Sequence, residues 1–232
     1  MVLTKQHSEF IAVGRLAFIP HASGVLFEPY ERLLIVSDLH LEKGSSIARR
    51  GALLPPYDTR DTLNRLSAVI DGLKPKIIIS LGDTWHDGKG PSRMSDRDNE
   101  VFASLRKHAD WILIAGNHDP HPPEDLAALV TDEIEIGGVT FRHEPTTDDQ
   151  SPEIAGHLHP VAKIRAKGRS IRRKCFISNG HRCIIPAFGS YTGGLNVLDA
   201  AFDPLFSDRN FLTHIVSANQ IFVVGPHSLV CD

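Results

Sequence analysis

The fold is decided by eight residues, Leu33-Leu34-Ile35-Val36-Ser37-Asp38-Leu39-His40. Four apolar residues in a row predict a strand that is buried on both faces of a sheet. Asp38 and His40 follow at the carboxyl end of this strand, which is where open α/β sheets bind their ligands. The run therefore predicts an α/β sheet and also the edge of that sheet at which the chemistry takes place.

Strands and helices alternate downstream of this run. Apolar residues at helical spacing predict a helix over Asp58–Leu73, and a second helix is predicted over Ser95–His108. Short apolar runs predict buried strands at Ile77–Ile79 and Trp111–Ala115. Acidic residues in a first turn favour a further helix over Pro122–Val130. The first half of the chain is therefore predicted to be an α/β unit.

Strands predominate in the rest of the chain. The residues before position 38 form strand segments divided by turns, and the second half is mostly strand with a hairpin at Gly137-Gly138. No repeat or linker separates the two halves, so we expect one domain over residues 1–232, with two packed sheets and flanking helices. The further strands are expected at Phe10–Ile19, Val25–Glu28, Arg32–Ser37, Glu133–Gly137, Val139–Arg142, Glu153–Ala155, Val161–Ala166, Ser170–Ser178, Cys183–Ile185, Leu195–Leu198 and Gln220–Val224.

Composition limits the class of protein. With 41% hydrophobic and 23% charged residues and a net charge of −3, the chain fits a soluble globular protein and excludes a disordered or collagenous one. No apolar run approaches the roughly 18 residues of a membrane helix, and the first residues do not resemble a secretory signal. Three cysteines without a CxxC pair predict a reduced, cytoplasmic protein. The number of histidines, 13, is the unusual feature of the composition.

Histidine recurs in four polar motifs that follow predicted strands. Because the carboxyl ends of parallel strands meet at one edge, we expect these motifs to gather there. Carboxylates, neutral imidazoles and an amide oxygen are ligands for Mn, Fe, Co, Ni or Zn. The motifs are Ser37-Asp38-Leu39-His40, Gly82-Asp83-Thr84-Trp85-His86-Asp87, Gly116-Asn117-His118-Asp119 and Gly156-His157-Leu158-His159, and His143 ends the strand Val139–Arg142.

Singly, each motif is weak, because polar loops are common after strands and a lone histidine is more often a surface residue than a ligand. Together the motifs and His143 supply seven candidate ligands, which is too many for one ion. Two ions about 3.5–4 Å apart that share one carboxylate would use them all, and such pairs catalyse in-line phosphoryl displacement. The ordered set therefore predicts a dinuclear metal site.

A known family shares this ordered series. In Asp38-x-His40, Gly82-Asp83, Gly116-Asn117-His118-Asp119, His143 and Gly156-His157-x-His159, the chain resembles the calcineurin-like metallophosphoesterases. The resemblance implies a four-layer αββα sandwich of two mixed sheets and a dinuclear metal site. It implies that the first metal binds Asp38, His40, Asp83 and His159. The second would bind Asp83, Asn117, His143 and His157, and His118 would lie over the substrate as proton donor or electrostatic stabiliser.

Longer segments resemble one branch of that family, the bacterial ligase-associated DNA-damage-response endonucleases of the PdeM type. This resemblance implies a metal-dependent phosphodiesterase or nuclease that acts on DNA in repair, in association with a DNA ligase and a helicase. Hydrolysis would use a hydroxide that bridges two divalent metals, which we expect to be Mn²⁺. The segments are residues 37–57, GDTWHD at 82–87, GNHDP at 116–120, RHEP at 142–145, GHLHP at 156–160 and PAFGSYTGGLNVLD at 186–199.

Residues beside the motifs are further candidates. We expect His86 or Asp87 to hydrogen-bond His118 or the phosphate, although both also fit a surface loop. Lys43, Arg49 and Arg50 follow the first motif closely enough to contact phosphate, or else they only cap and solvate a loop.

A basic segment, residues 163–174, carries seven cations in twelve residues and no acid. On a hairpin around Gly168, Lys163, Arg165 and Lys167 would share one face and track a nucleic-acid backbone. A charged outer strand in solvent is the favoured interpretation, because the net charge is negative and no aromatic residues interleave for base stacking.

Two other functions fit the same sequence. A phosphomonoesterase or nucleotide pyrophosphatase would use the same metal chemistry on small substrates. A non-catalytic binding module on the same fold is the third possibility, and the complete ligand set disfavours it.

Overall fold

The computed structural model describes residues 10–52, 54–55, 57–123, 126–148, 150–166, 168–218 and 220–232. Its α-helices are α1 (Lys43–Ala48), α2 (Asp58–Leu73), α3 (Gly90–Arg93) and α4 (Asp96–Arg106). Its strands are β1 (Ile11–Val13), β2 (Leu16–Pro20), β3 (Leu26–Glu28), β4 (Leu33–Val36), β5 (Ile77–Leu81), β6 (Asp110–Ile114), β7 (Leu129–Thr131), β8 (Glu133–Ile136), β9 (Val139–Arg142), β10 (Glu153–Ala155), β11 (Pro160–Ala166), β12 (Arg169–Ser178), β13 (Arg182–Ile184), β14 (Leu195–Asn196), β15 (Leu212–Ser217) and β16 (Gln220–Val224).

The first sheet contains β1 to β7 in chain order. Its strands β4, β5, β6 and β7 are parallel, and Leu33 pairs with Ile77 in the register of β4 and β5. All four residues of β4 are buried, as its continuous apolar run predicts. Helices α2 and α4 cover the outer face, where Leu63, Leu66 and Phe102 join an apolar cluster with that face of the sheet.

The second sheet has nine strands, with β9, β10 and β13 parallel to one another and β11, β12, β15 and β16 antiparallel. Its inner face packs on the first sheet through a second apolar cluster that includes Phe18, Phe141 and Phe176. Short 3-10 helices at Ala200–Phe202 and Ser207–Arg209 cover its outer face. The predicted sandwich of two mixed sheets is thus confirmed, with 3-10 turns where α-helices were expected on this side.

Two of the predicted elements are wrong. The expected strand Phe10–Ile19 is a hairpin, because Gly14 takes a φ of +56° and reverses the chain between β1 and β2. The expected helix Pro122–Val130 ends in strand β7, where Leu129 pairs in parallel with Ile112. Pairing at the sheet edge overrides the weak local helix preference there. Glu124 and Asp125, on which that helix prediction rested, lie outside the described residues.

Candidate metal centre

The loops that carry the motifs meet at one edge of the two sheets. His40 N–H donates to the Asp83 carbonyl oxygen over 2.9 Å, which joins the loops after β4 and β5. The carboxyl ends of β9 and β10 are adjacent, so that Gly156 N–H donates to the His143 carbonyl oxygen over 3.0 Å. Residues far apart in sequence are therefore brought together by strand order within each sheet and by the packing of the two sheets.

The first group of donor atoms surrounds Asp38. Its Oδ1 lies 3.0 Å from His159 Nε2 and 4.0 Å from His40 Nε2. The two imidazole nitrogens are 3.4 Å apart. Asp83 Oδ2 approaches the same place, 3.7 Å from His40 Nε2. One carboxylate, two imidazoles and the edge of a second carboxylate thus face a common point.

The second group of donor atoms surrounds Asn117. Its Oδ1 lies 2.9 Å from His143 Nε2 and 3.0 Å from His157 Nδ1, and these two nitrogens are 3.2 Å apart. Asp83 reaches this group as well, because its Oδ1 is 3.6 Å from His143 Nε2. The Asp83 carboxylate therefore lies between the two groups, with one oxygen toward each.

The donor atoms fit divalent cations. Asp38 Oδ1 is fully buried and has no hydrogen-bond partner in the described part of the chain, although His159 Nε2 is 3.0 Å away. A buried carboxylate oxygen in that state is costly unless something positive satisfies it. His143 Nδ1 lies 2.8 Å from the Leu81 carbonyl oxygen, which holds the proton on Nδ1 and leaves Nε2 free to bind a metal. Sets with all donor atoms within 4.8 Å are Asp38–His40–His159, Asp38–Asp83–His143 and His40–His86–His118.

Backbone strain concentrates at these residues. A positive φ is uncommon outside glycine and costs of order 1–3 kcal/mol per residue. Strain of this kind persists where the surrounding structure holds a side chain in a required direction. Five of the seven predicted ligands adopt it, namely Asp38 (+53°), His40 (+44°), Asp83 (+49°), His157 (+67°) and His159 (+48°).

Two glycines of the motifs allow the loops to touch. A Cβ atom on Gly116 would lie 2.2 Å from both the backbone nitrogen and the Oδ1 of Asp83. A Cβ atom on Gly156 would lie 1.9 Å from Ser37 Oγ, whose hydroxyl donates to Asp38 Oδ2. Only glycine permits such close approach, which explains why Asn117 and His157 each follow one.

Burial disfavours the charged form of three histidines of the centre. It lowers the pKa of His40 to about 2 and that of His86 to about 4, and it also lowers the pKa of His157. Burial alone would raise the pKa of Asp38, but the close contact with the His159 ring lowers it to about 2. Neutral imidazoles and an ionised carboxylate are the protonation states that metal ligands need.

His118 lies beside the two groups of donor atoms, not within them. Its Nδ1 is 2.8 Å from the main-chain carbonyl oxygen of His86, and its Nε2 is 4.0 Å from Asp83 Oδ2. The His86 ring stacks on it at 5.0 Å, and His86 Nδ1 lies 3.5 Å from His40 Nδ1. His86 therefore meets His118 through its carbonyl group and ring. Asp87 turns away to Arg93.

The cations on α1 differ in how near they lie to the centre. Lys43 is half-buried, and burial lowers its pKa against the attraction of Asp38 and Asp83. The charge of Arg50 acts on His86, while Arg49 is exposed at the end of the helix.

The basic segment forms the hairpin of β11 and β12 around Gly168, with Lys167 outside the described residues. Lys163 and Arg172 are cross-strand partners, and both lie near Asp232 Oδ1, at 3.7 Å and 3.4 Å. Two of its cations are thus partly neutralised within the chain.

Two cationic side chains, Lys174 and Arg93, hold loops of the centre in place, and no sequence motif indicated this role. Lys174, the last residue of the basic segment, is mostly buried, and its Nζ donates to the Ala187 carbonyl at 2.6 Å and to Thr192 Oγ1 at 3.0 Å. The loop that it holds returns to the centre, because Gly189 N–H donates to the Asp38 carbonyl oxygen over 3.0 Å. The second group is Arg93, which holds Asp87. Both depend on partners that only the fold brings near.

A two-sheet α/β fold with carboxylates, imidazoles and an amide gathered at one edge defines a metal-dependent phosphoesterase. A family model, described as calcineurin-like phosphoesterase, matches residues 31–214, and the chain belongs to that family. The family resemblance inferred from the motifs is thus confirmed. None of the helices in the described ranges is long and apolar enough to cross a membrane.

Solved structures include similar folds. The Pseudomonas putida nuclease MPE shares 26% identity at a TM-score of 0.73, over 93% of this chain and 98% of that one. This neighbour is consistent with the endonuclease branch to which the longer segments point. The phosphoesterase Yfce from E. coli shares 14% identity at a TM-score of 0.39, over 83% of this chain and 98% of that one. A comparison with curated proteins found no match.

Proposed function

We propose that this protein is a dinuclear-metal phosphodiesterase that cleaves DNA and serves in repair. The observation that carries the proposal is the Asp83 carboxylate between two groups of donor atoms, with Oδ2 3.7 Å from His40 and Oδ1 3.6 Å from His143. A shared carboxylate of this kind is typical of paired metals. The structural likeness to a nuclease supports the choice of nucleic acid as substrate. Association with a DNA ligase and a helicase remains part of the proposal.

The proposed ligands divide between two ions as the family resemblance implies. Asp38, His40, Asp83 and His159 would hold one ion, and Asp83, Asn117, His143 and His157 the other. When bound, two divalent cations activate water and offset the charge that develops on the phosphate. Imidazole and carboxylate ligands suit Mn²⁺, with Fe, Co, Ni and Zn as the other candidates.

His118 is the proposed proton donor. Its Nδ1–H donates to the His86 carbonyl oxygen over 2.8 Å, so the doubly protonated ring would hold the proton for the leaving oxygen at Nε2. That atom lies 4.0 Å from Asp83 Oδ2, beside the proposed metal bridge. The ring thus faces the place where a phosphate ester would react. The His86 ring is proposed to support this arrangement by stacking on it.

Charge around the centre favours one path for the substrate. Lys43, Arg49 and Arg50 on the α1 side are the proposed phosphate contacts. On the other side, a cavity of about 460 Å³ borders Asn117 and is lined by Asp132, Glu144 and the ion pair of Glu133 with Arg142, which leaves a net negative charge. Like charges disfavour a phosphate backbone beside these carboxylates. A bound strand is therefore proposed to leave the centre over α1.

A substrate panel tests the proposal. Purified protein loaded with Mn²⁺ is assayed on single-stranded DNA, bis(p-nitrophenyl) phosphate, p-nitrophenyl phosphate and nucleotide diphosphates. We expect cleavage of the diester and of DNA, abolished in Asp83→Asn and retained in Asp71→Asn, a matched change on α2.

Other results of the substrate panel would support one of the alternative functions. Turnover of the monoester or the nucleotide diphosphate alone would make the protein a phosphomonoesterase or a nucleotide pyrophosphatase. Binding of Mn²⁺ and DNA with no hydrolysis at all would leave the non-catalytic binding module. An active Asp83→Asn protein would refute the bridging role of Asp83.

A further inference from the structure

The pair of Asp87 and Arg93 lies behind the proposed proton donor. Arg93 NH1 is 2.7 Å from Asp87 Oδ1, and NH2 is 2.9 Å from Oδ2, so the contact is bidentate. The Arg93 side chain is only 12% exposed. A planar guanidinium in this arrangement fixes the direction of the carboxylate as well as its position, which the point charge of a lysine does not do.

Asp87 is connected to His118 through one peptide group. The carbonyl oxygen that lies 2.8 Å from His118 Nδ1 belongs to the peptide bond that joins His86 to Asp87. Because a peptide group is planar, the direction of this oxygen follows the orientation of both residues. His86 N–H donates to the Leu41 carbonyl oxygen over 3.0 Å, and Gly90 N–H donates to the Asp87 carbonyl oxygen over 2.8 Å. The Asp87 carboxylate accepts from Lys89 N–H over 2.9 Å and is held in direction by the bidentate Arg93. These contacts together set the plane that orients His118.

The same arginine also holds helix α1. Arg93 Nε donates to Ser45 Oγ over 2.9 Å, and NH2 donates to the Glu42 carbonyl oxygen over 3.3 Å. Ser45 Oγ in turn donates to Glu42 Oε2 over 2.6 Å. Lys43 lies between these two anchored residues. One side chain therefore connects the start of α1 with the loop that carries His86.

We infer that Arg93 is a positioning residue, which acts through Asp87 to aim His118 at the leaving oxygen. The inference rests on the proposed function, because it assigns the group that orients the proton donor. A misplacement of about 1 Å costs on the order of 10²-fold in rate. Loss of the bidentate contact is therefore expected to affect proton donation before it affects metal binding.

The test compares two leaving groups. Wild type, Arg93→Lys and Arg93→Ala, loaded with Mn²⁺, are assayed on bis(p-nitrophenyl) phosphate and on the dinucleotide thymidylyl-thymidine. p-Nitrophenolate leaves without a proton, whereas the nucleoside alkoxide needs one. We expect kcat on the dinucleotide to fall about 100-fold in both variants, and kcat on the aryl diester less than about fivefold. Arg97→Lys, an exposed arginine of α4, is the matched control and keeps both rates.

A second measurement does not depend on activity. Nitrogen-15 NMR of the histidine rings reports which nitrogen of His118 carries the proton. For the neutral ring we expect the Nδ1–H form in wild type and a mixture of the two neutral forms in Arg93→Ala, with Mn²⁺ affinity nearly unchanged. Equal losses on both substrates, or an unchanged ring in Arg93→Ala, would overturn the inference. A wild type inactive on both diesters would instead refute the proposed function, while the NMR result still decides the role of Arg93.

Discussion

His143 Nδ1 lies 2.8 Å from the main-chain carbonyl oxygen of Leu81, and this contact joins the two sheets at the metal centre. Leu81 ends strand β5 of the first sheet, whereas His143 follows β9 of the second. The contact directs Nε2 of the ring toward Asp83 and Asn117. The spacing of the two sheets therefore determines the geometry of the second proposed metal position.

Loss of this histidine should weaken metal binding at one position. We expect His143→Ala to lower the affinity for one of two Mn²⁺ ions by at least about 100-fold, because changes to groups that merely orient ligands already cost 10–100-fold. Isothermal titration calorimetry of metal-free protein measures both sites. His108→Ala, an exposed histidine after α4, is the control. Two unchanged binding events in His143→Ala would exclude it as a ligand.

Contacts with DNA should involve α1 and not the paired cations of the basic hairpin. On single-stranded DNA, each lost phosphate contact reduces the slope of log affinity against log salt by about 0.7. We expect Lys43→Ala to reduce the slope by that amount. Arg172→Ala should leave it unchanged, because its Nε lies 3.4 Å from Asp232. Fluorescence anisotropy with labelled single-stranded DNA, measured across a salt series, provides both slopes. The reverse pattern would assign the basic hairpin to the DNA interface.

Stability should decrease in acid because of His214 on β15. The residue is 3% exposed, neither ring nitrogen has a hydrogen-bond partner among the described residues, and burial lowers its pKa to about 4. The unfolded chain binds a proton near the ordinary pKa of about 6.5, so stability is present above that pH and is lost as the pH falls toward 4.

The size of this effect follows from the two pKa values. Between pH 7 and pH 5 the His214 contribution to the free energy of unfolding should fall by about 2 kcal/mol. Guanidinium unfolding of wild type and His214→Phe at both pH values measures it, because phenylalanine removes the proton site but keeps the ring. His108→Phe should retain the wild-type pH dependence. An equal pH dependence in His214→Phe would show that this residue does not titrate in the folded state.

A buried ion pair stabilises the second sheet. Glu153 on β10 and Arg182 on β13 are each 1% exposed and are joined through Glu153 Oε1 and Arg182 Nε. Removal of one partner from such a pair costs about 3–5 kcal/mol, because the other charge stays buried. We expect Glu153→Ala to lower the free energy of unfolding in urea by that amount. Glu133→Ala, which removes an exposed partner of Arg142, should cost less than about 1 kcal/mol.

Much of the centre could be predicted because its signals are local. The four apolar residues Leu33–Val36 predict a buried strand from their composition, and each ligand motif directly follows a strand. The error at Pro122–Val130 had the opposite cause. Leu129 lies in strand β7 because the edge of β6 is available for pairing. The local sequence around Leu129 carries no information about the position of that edge.

The donor chemistry and the strand ends at which it lies could be predicted, because side-chain type and chain order are written in the sequence. The groups that orient those donors are defined by contacts that form only in the folded protein. Leu81 behind His143, the His86 carbonyl behind His118, and Arg93 between Asp87 and Ser45 all join separate segments. Two of these three contacts use main-chain carbonyl oxygens. Every residue carries such an oxygen, so the side-chain pattern of the sequence does not predict these contacts.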